Sequence, residues 1–377
     1  MRAFAFICLA AAAPHKTGAP DAREVIRGSS RPRRLSDDFE QLAKLIAADA
    51  AEGAKFGHSV AVDGDTIVIG APYAGTGGAV YVLRASDGAE LAKLTASDAA
   101  SSDEFGGSVA IDGDTIVIGA NGKDDNTGAV YVLRASDGKQ LATLTADDGA
   151  SADNFGVSVA TDGDTVVVGA MYAGTGGAAY VFRKSWFGDT YAQMAKLTAN
   201  DAAADDRFGT SVAVDGGTVV IGAWGDDDDG SDSGAVYVFR TTDGGATYGQ
   251  VAKLTAADAA ASEYFGLSLA IAGDTVVVGA SGDDDAGTSS GSAYVFRTTD
   301  GGATYPPMAK LTASDAAYID WFGWSVAIDG ATVVVGAYGD YSYRGAAYVF
   351  RTSDGGATYG QVAKLTASDA AVEDHFG

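Results

Sequence analysis

Residues 105–148 read FGGSVAIDGDTIVIGANGKDDNTGAVYVLRASDGKQLATLTADD. Glycine-rich punctuation cuts this stretch into four runs: A (108–111), B (115–119), C (129–134) and D (140–145). Each run is short, bounded by Gly or Asp and rich in Val, Ile, Thr or Tyr, which is strand composition, and none has the length of an ordinary helix. Asp112-Gly113 and Asp137-Gly138 are hairpin signals, because Gly and Asp tolerate the positive φ of tight turns. The stretch predicts four strands joined by hairpins into one antiparallel meander.

The same stretch recurs along the chain. Phe-Gly pairs begin at Phe56, Phe105, Phe155, Phe208, Phe265, Phe322 and Phe376, at spacings of 49, 50, 53, 57, 57 and 54 residues. A period near fifty is the mark of a repeat architecture. Runs A to C occur six times; run D occurs seven times, at 42–46, 91–95, 141–145, 194–198, 251–255, 308–312 and 362–366. The surplus D run precedes the first Phe-Gly. The expected organisation is therefore a leader and linker over 1–37 and a repeat domain over 38–377. That domain holds six complete units and a seventh begun at Phe376. The reading is of a chain cut short within its seventh unit; a six-unit ring with a redundant D strand is the alternative.

Run B is apolar throughout, as in TIVIGA (66–71) and TVVVGA (165–170). A strand wetted on one face alternates, so a continuous run implies cover on both faces. Sheets arranged radially, each sandwiched by two neighbours, supply that cover. Residue size points the same way: runs A and B carry Ser, Ala and Gly, while run C carries Tyr131 and Leu133, or Tyr237 and Phe239. Small residues suit the crowded hub and aromatics fill the wider gap outside. The fold expected is an all-β propeller of four-stranded antiparallel blades, preferred over a β-helix. The series FG-x-S-V-A-I-D-G-D-T-V-V-V-G-A, followed by G-A-x-Y-V-F-R, resembles the FG-GAP repeat family. That resemblance implies a β-propeller like the integrin alpha-subunit head and covers about 38–377, nearly all of the chain after the leader.

The formal net charge is −25 over 377 residues. Residues 1–34 hold seven Lys/Arg against two acids, a net of +5, so the remainder carries −30. A surface so acidic repels phosphate backbones and anionic headgroups, which argues against nucleic acid and direct anionic membrane binding. Cys8 is the only cysteine, so no disulfide forms within the chain. The start MRAFAFICLAAAAP has a basic residue and an apolar run over 3–13, resembling a secretory signal; a misplaced gene start and a transit peptide are the alternatives.

Candidate chemistry is sparse. His15, His58 and His375 are the only histidines, which leaves no material for zinc sites or histidine-based dyads. The family's calcium loop is implied between runs A and B, but this chain has only D-G-D-T there, too few oxygens to wrap the ion. The B–C loops are more acidic. Asp226, Asp227, Asp228, Asp229 and Asp232 offer enough carboxylate for one calcium, while units one and three have Gly-Thr-Gly-Gly instead. No pair of acids is marked for glycoside hydrolysis. Arg closes run C in every unit and Lys marks run D, with Thr143 the exception; inter-blade pairing or edge protection is the expected role. Trp224, Trp324, Tyr338 and Tyr341, together with Tyr343, are candidates for a protein or carbohydrate contact, with blade-edge packing the competing role. The expectation is a secreted or cell-surface binding module, non-catalytic, with rim loops facing a protein or carbohydrate ligand and calcium as the one possible cofactor. A carboxylate-based hydrolase and a purely structural extracellular protein are the alternatives.

Overall fold

The computed structural model describes residues 39, 41–186 and 188–377. The leader, Cys8 and the linker lie outside them. The chain folds as an all-β propeller of six blades, each a four-stranded antiparallel sheet in simple meander order. Blade 1 is β1 (Ser59–Asp63), β2 (Thr66–Ala71), β3 (Ala79–Arg84) and β4 (Glu90–Leu94). Blade 2 is β5 (Ser108–Asp112), β6 (Thr115–Ala120), β7 (Ala129–Arg134) and β8 (Gln140–Leu144). Blade 3 is β9 (Ser158–Asp162), β10 (Thr165–Ala170), β11 (Ala178–Lys184) and β12 (Tyr191–Leu197). Blade 4 is β13 (Ser211–Asp215), β14 (Thr218–Ala223), β15 (Ala235–Arg240) and β16 (Gly249–Leu254). Blade 5 is β17 (Leu269–Ala272), β18 (Thr275–Ala280), β19 (Ser292–Arg297) and β20 (Pro307–Leu311). Blade 6 is β21 (Phe322–Asp329), β22 (Thr332–Ala337), β23 (Ala346–Arg351) and β24 (Gly360–Leu365).

The first strands of consecutive blades, β1, β5, β9, β13, β17 and β21, pack on one another and so form the hub. Strand B is buried on both faces because each face meets a different neighbour. Val68 packs into the cluster shared with blade 2, for example, while Ile69 faces the other way. The tyrosines of strand C sit away from the hub and bury against the Phe of the Phe-Gly pair, as in Phe105–Tyr131, with centroids 5.3 Å apart in a T-shaped contact.

The motif residues are explained by close approach between blades. A Cβ on Gly169, at the end of strand B, would lie 1.9 Å from the carbonyl oxygen of Gly209 in blade 4. That same oxygen accepts a 2.8 Å hydrogen bond from Ser158 Oγ. Gly209 itself has φ +95°, a conformation that favours glycine. The serine contact repeats from Ser59, Ser108, Ser211 and Ser268, each reaching the Phe-Gly carbonyl of the next blade.

The A–B turns hold blades together as well. Asp63 Oδ2 accepts from the N–H of Gly113 at 2.7 Å, and Asp112, Asp162 and Asp215 repeat the bond to Gly163, Gly216 and Gly273. The first Asp of D-G-D-T is thus an inter-blade staple. The second also has a local use: Asp65 accepts from the N–H and hydroxyl of Ser86.

Closure of the ring differs from expectation in one respect. Residues 42–46, read as a seventh D strand, form no ladder strand, and only Leu45 makes a bridge. The segment nevertheless sits where a D strand belongs between blades 6 and 1. Lys44 pairs with Asp369, and Gln41 Oε1 accepts from Ser368 N–H at 3.0 Å. On the other side, Asp49 accepts from Tyr81 of blade 1. Phe376 bridges Gly345 as Phe105, Phe155, Phe208 and Phe322 bridge their preceding blades. A lone outer strand with no described C strand beside it has nothing to ladder with, which accounts for its irregularity.

Candidate functional site

Strands A and C start, and strands B and D end, on one face of the propeller, so the D–A and B–C loops meet there. Two kinds of side-chain cluster occupy that face: an acid–lysine junction at its outer side, repeated from blade to blade, and an aromatic arc confined to part of the ring.

The junction is built from three elements. Strand C supplies a tyrosine, the preceding D–A loop an aspartate, and strand D a lysine. In blade 3 Tyr180 donates to Asp148 at 2.9 Å and Lys196 pairs with Asp148 at 2.6 Å. Burial pushes the Tyr180 hydroxyl up to about 12. Blades 4 and 5 add B–C loop acids. Lys253 Nζ lies 2.9 Å from Asp201, 2.9 Å from Asp226 and 2.6 Å from Asp228. Lys310 Nζ lies 2.7 Å from Asp258, 2.7 Å from Asp283 and 2.5 Å from Asp285. Burial opposes the charge on each ammonium, but the three carboxylates outweigh it and raise both lysine pKa values. Blade 2 reaches the same arrangement by another route. Its D strand carries Thr143, and the cation comes from the B–C loop instead, with Lys123 3.0 Å from Asp98.

These two triple-carboxylate groups, Asp201–Asp226–Asp228 and Asp258–Asp283–Asp285, can hold a metal ion. Their oxygens suit a hard cation, and the space between them is held by the lysine ammonium. Of the five aspartates singled out in the sequence, only Asp226 and Asp228 join such a group. Asp227 Oδ1 accepts the backbone N–H of Asp232, and neither these two nor Asp229 belongs to it. Asp201 was not singled out; its signal was its place before each Phe-Gly, opposite the recurrent D-strand lysine. Glu263 stands beside the blade 5 group, where other blades have Asp153, Asp206 or Asp320. It is buried with Oε2 unpaired, and burial, reinforced by Asp283 and Asp258, pushes its carboxyl up to about 7.

The aromatic arc uses two repeat-equivalent positions: the residue before each Phe-Gly and the residue after the Gly-Ala that ends strand B. Blades 1 to 3 have Lys55, Glu104 and Asn154 at the first, and Pro72, Asn121 and Met171 at the second. Blades 4 to 6 have Arg207, Tyr264 and Trp321, then Trp224, Ser281 and Tyr338. The arc begins at Tyr172 of blade 3, whose ring carries the Arg207 guanidinium at 4.5 Å; Arg207 also lies 5.9 Å from the Trp224 ring. Trp224 meets Tyr264 edge-on at 5.5 Å. In blade 6 Tyr338 is the centre of a stack, 4.9 Å from Trp324, 5.1 Å from Trp321 and 4.4 Å from His375, with ring planes within 19° of parallel. Burial, with Tyr343 adjacent, raises the Tyr338 hydroxyl pKa. Trp324 is 43% exposed, and Tyr341, 73% exposed, stands beside the stack with the Arg344 guanidinium 4.8 Å over its ring. The structure therefore brings Trp324 and Tyr338 together, sets Trp224 against Tyr264 in the preceding blades, and leaves Tyr341 at the margin of the blade 6 stack. Trp321, Tyr264, Arg207 and His375 escaped the sequence reading, although each directly precedes a Phe-Gly.

His58, expected to be no ligand, is exposed among blade 1 loop residues. The C-strand arginines pair at turns, as expected of inter-blade and edge cations. Arg84 pairs with Asp87 at 3.0 Å, and Arg183 donates to the carbonyl of Gly244 in the next blade. Among the described residues no helix is long and apolar enough to cross a membrane.

Radial blades joined by repeating turns make this a propeller of the kind that serves as a ligand-binding or adhesion-type module. The chain belongs to the FG-GAP repeat family: the family model matches residues 39–83, 85–133, 139–182, 191–239, 248–296 and 307–350. Each match runs in the order D–A–B–C, one strand out of phase with the blades, which are A–B–C–D. That offset is why the sequence shows a D run ahead of the first Phe-Gly. No curated protein matches the chain.

Proposed function

We propose that this propeller is a non-catalytic binding module, extracellular or at the cell surface, that presents the loops of one face to a protein or carbohydrate ligand. The observation that carries this reading is the aromatic arc. Half-buried rings (Trp224, Tyr264, Trp321, Tyr338) occupy these positions in blades 4 to 6, where blades 1 to 3 carry none, and Trp324 and Tyr341 stand exposed beside them. Aromatic side chains offer large contact area at low entropic cost, and they are enriched where partners bind. Calcium is proposed for the two triple-carboxylate groups, where the ion would take the place of the lysine ammonium.

The test is an array of extracellular proteins and glycans probed with the full chain, with and without calcium. A ligand retained by the wild-type chain supports the reading. Absence of any ligand, together with turnover on a hydrolase substrate panel, overturns it. Calorimetry without heat at millimolar calcium removes the ion from the proposal.

A further inference from the structure

We propose that the loop face over blades 4 to 6 binds a linear, neutral polysaccharide laid along the aromatic arc. This deepens the binding-module reading and rests on it. The first support is the repeat itself. A polymer of repeating units is matched by rings on successive blades, and blades 4, 5 and 6 supply Trp224, Tyr264, and Trp321 with Tyr338. The second is backbone conformation. The residue before each Phe-Gly has positive φ: +57° at Tyr264, +51° at Trp321 and +53° at His375. L side chains avoid this region, and large rings gain nothing there by propensity. Placing Tyr and Trp at such positions is a local cost that blade packing does not require, because Asn154 occupies the equivalent place in blade 3 with φ +56°.

The third support is ring geometry. The near-parallel stack of Trp324, Tyr338 and His375 ends in exposed rings, and Tyr172 at the other end of the arc is 45% exposed. The negative face of an aromatic ring suits the apolar C–H face of a pyranose. The Arg207 guanidinium and the exposed Asp205 carboxylate, 3.2 Å apart within the arc, supply a donor and an acceptor for hydroxyls. Charge excludes the competing polymers. At a net −25, sulfated or uronic glycans and single-stranded nucleic acids, which also stack on aromatic rings, are repelled.

The test titrates the full chain with neutral linear oligosaccharides of two to eight units, covering β-linked glucose, N-acetylglucosamine, xylose and mannose. Binding is read by calorimetry and by tryptophan fluorescence. Affinity is expected to rise at least tenfold from the shortest to the longest member of the preferred series. Trp324→Ala and Trp224→Ala are each expected to weaken binding at least fivefold. Tyr73→Ala, on the face of blade 1, leaves it unchanged. Thermal melts of Trp324→Ala, an exposed position, report whether the fold is intact. No saccharide binding at millimolar concentration overturns the proposal, as does binding that ignores both tryptophan substitutions. A protein ligand from the array whose binding is lost in Trp324→Ala, with no saccharide bound, also overturns it while leaving the binding-module reading standing.

Discussion

Replacing Lys253 with methionine tests the acid–lysine junction most directly. Lys253 neutralises Asp201, Asp226 and Asp228, whose side chains are 40%, 5% and 68% exposed. Removing one partner of a buried ion pair costs about 3–5 kcal/mol, because the remaining charge is stranded. Only Asp226 is truly buried, and water screens the other two carboxylates, so the expected loss is nearer ~2–3 kcal/mol. The pH dependence has a definite sign. In the wild-type chain burial opposes ionisation of Asp201, but hydrogen bonds from Lys253 and Tyr237 prevail and lower its pKa. That contribution is complete above the ordinary carboxylate pKa and is lost as pH falls through the lowered folded value. In Lys253→Met Asp201 loses the Lys253 contact that lowers its pKa while the burial that raises it remains, so the deficit is largest at neutral pH and shrinks below about pH 5. Urea unfolding at pH 7 and pH 4.5, wild type against variant, measures both. The variant also gives calcium an open place, so millimolar calcium is expected to raise its midpoint more than that of the wild type, where the ion must displace the ammonium. A variant as stable as wild type at pH 7, or a deficit that persists undiminished at pH 4.5, refutes the reasoning.

Three further expectations concern the blades. Gly169→Ala puts a methyl 1.9 Å from the Gly209 carbonyl oxygen, so the blade 3–4 interface must part; a loss of about 3 kcal/mol in urea unfolding is expected. Lys123→Ala is expected to cost about 1 kcal/mol, and adding Thr143→Lys in the same chain to recover it, since the D-strand position supplies the cation in other blades. Glu263→Gln is expected to stabilise the chain by about 2 kcal/mol at pH 8 and little at pH 5. A carboxyl whose folded pKa is raised to about 7 contributes stability that is lost as pH climbs from the ordinary range through that value. Melting curves at the two pH values check the sign.

The blade was legible from residues 105–148 because strand composition, turn glycines and a doubly apolar run B all act locally. The expected runs match β5 to β8 to within a residue or so at their ends, and the hairpin glycines Gly113 and Gly138 have the positive φ the turns require. The D-strand lysines, read as pairing between blades or protecting edges, pair with D–A loop aspartates. The site was legible only in part. Asp226–Asp232 attracts notice as a run in sequence, yet adjacent carboxylates on a loop point apart, and the group that forms takes Asp201 from the preceding loop. Trp324 and Tyr338 were visible as aromatics, while His375 and Trp321 gained meaning only once two loops met.

What the chain's sequence determined was the unit and its recurrence: four short strands, wedge-shaped by small residues inside and tyrosines outside, with a Gly wherever backbones touch. Those are short-range properties, written in side-chain size and φ preference. The tertiary structure alone decided what lies across a junction. It put Lys253 beside Asp201, 52 residues earlier in the chain, substituted Lys123 where Thr143 breaks the pattern, and set Trp224 of one unit against Tyr264 of the next. Those outcomes depend on the angle at which neighbouring blades meet around the hub, and no single repeat encodes that angle.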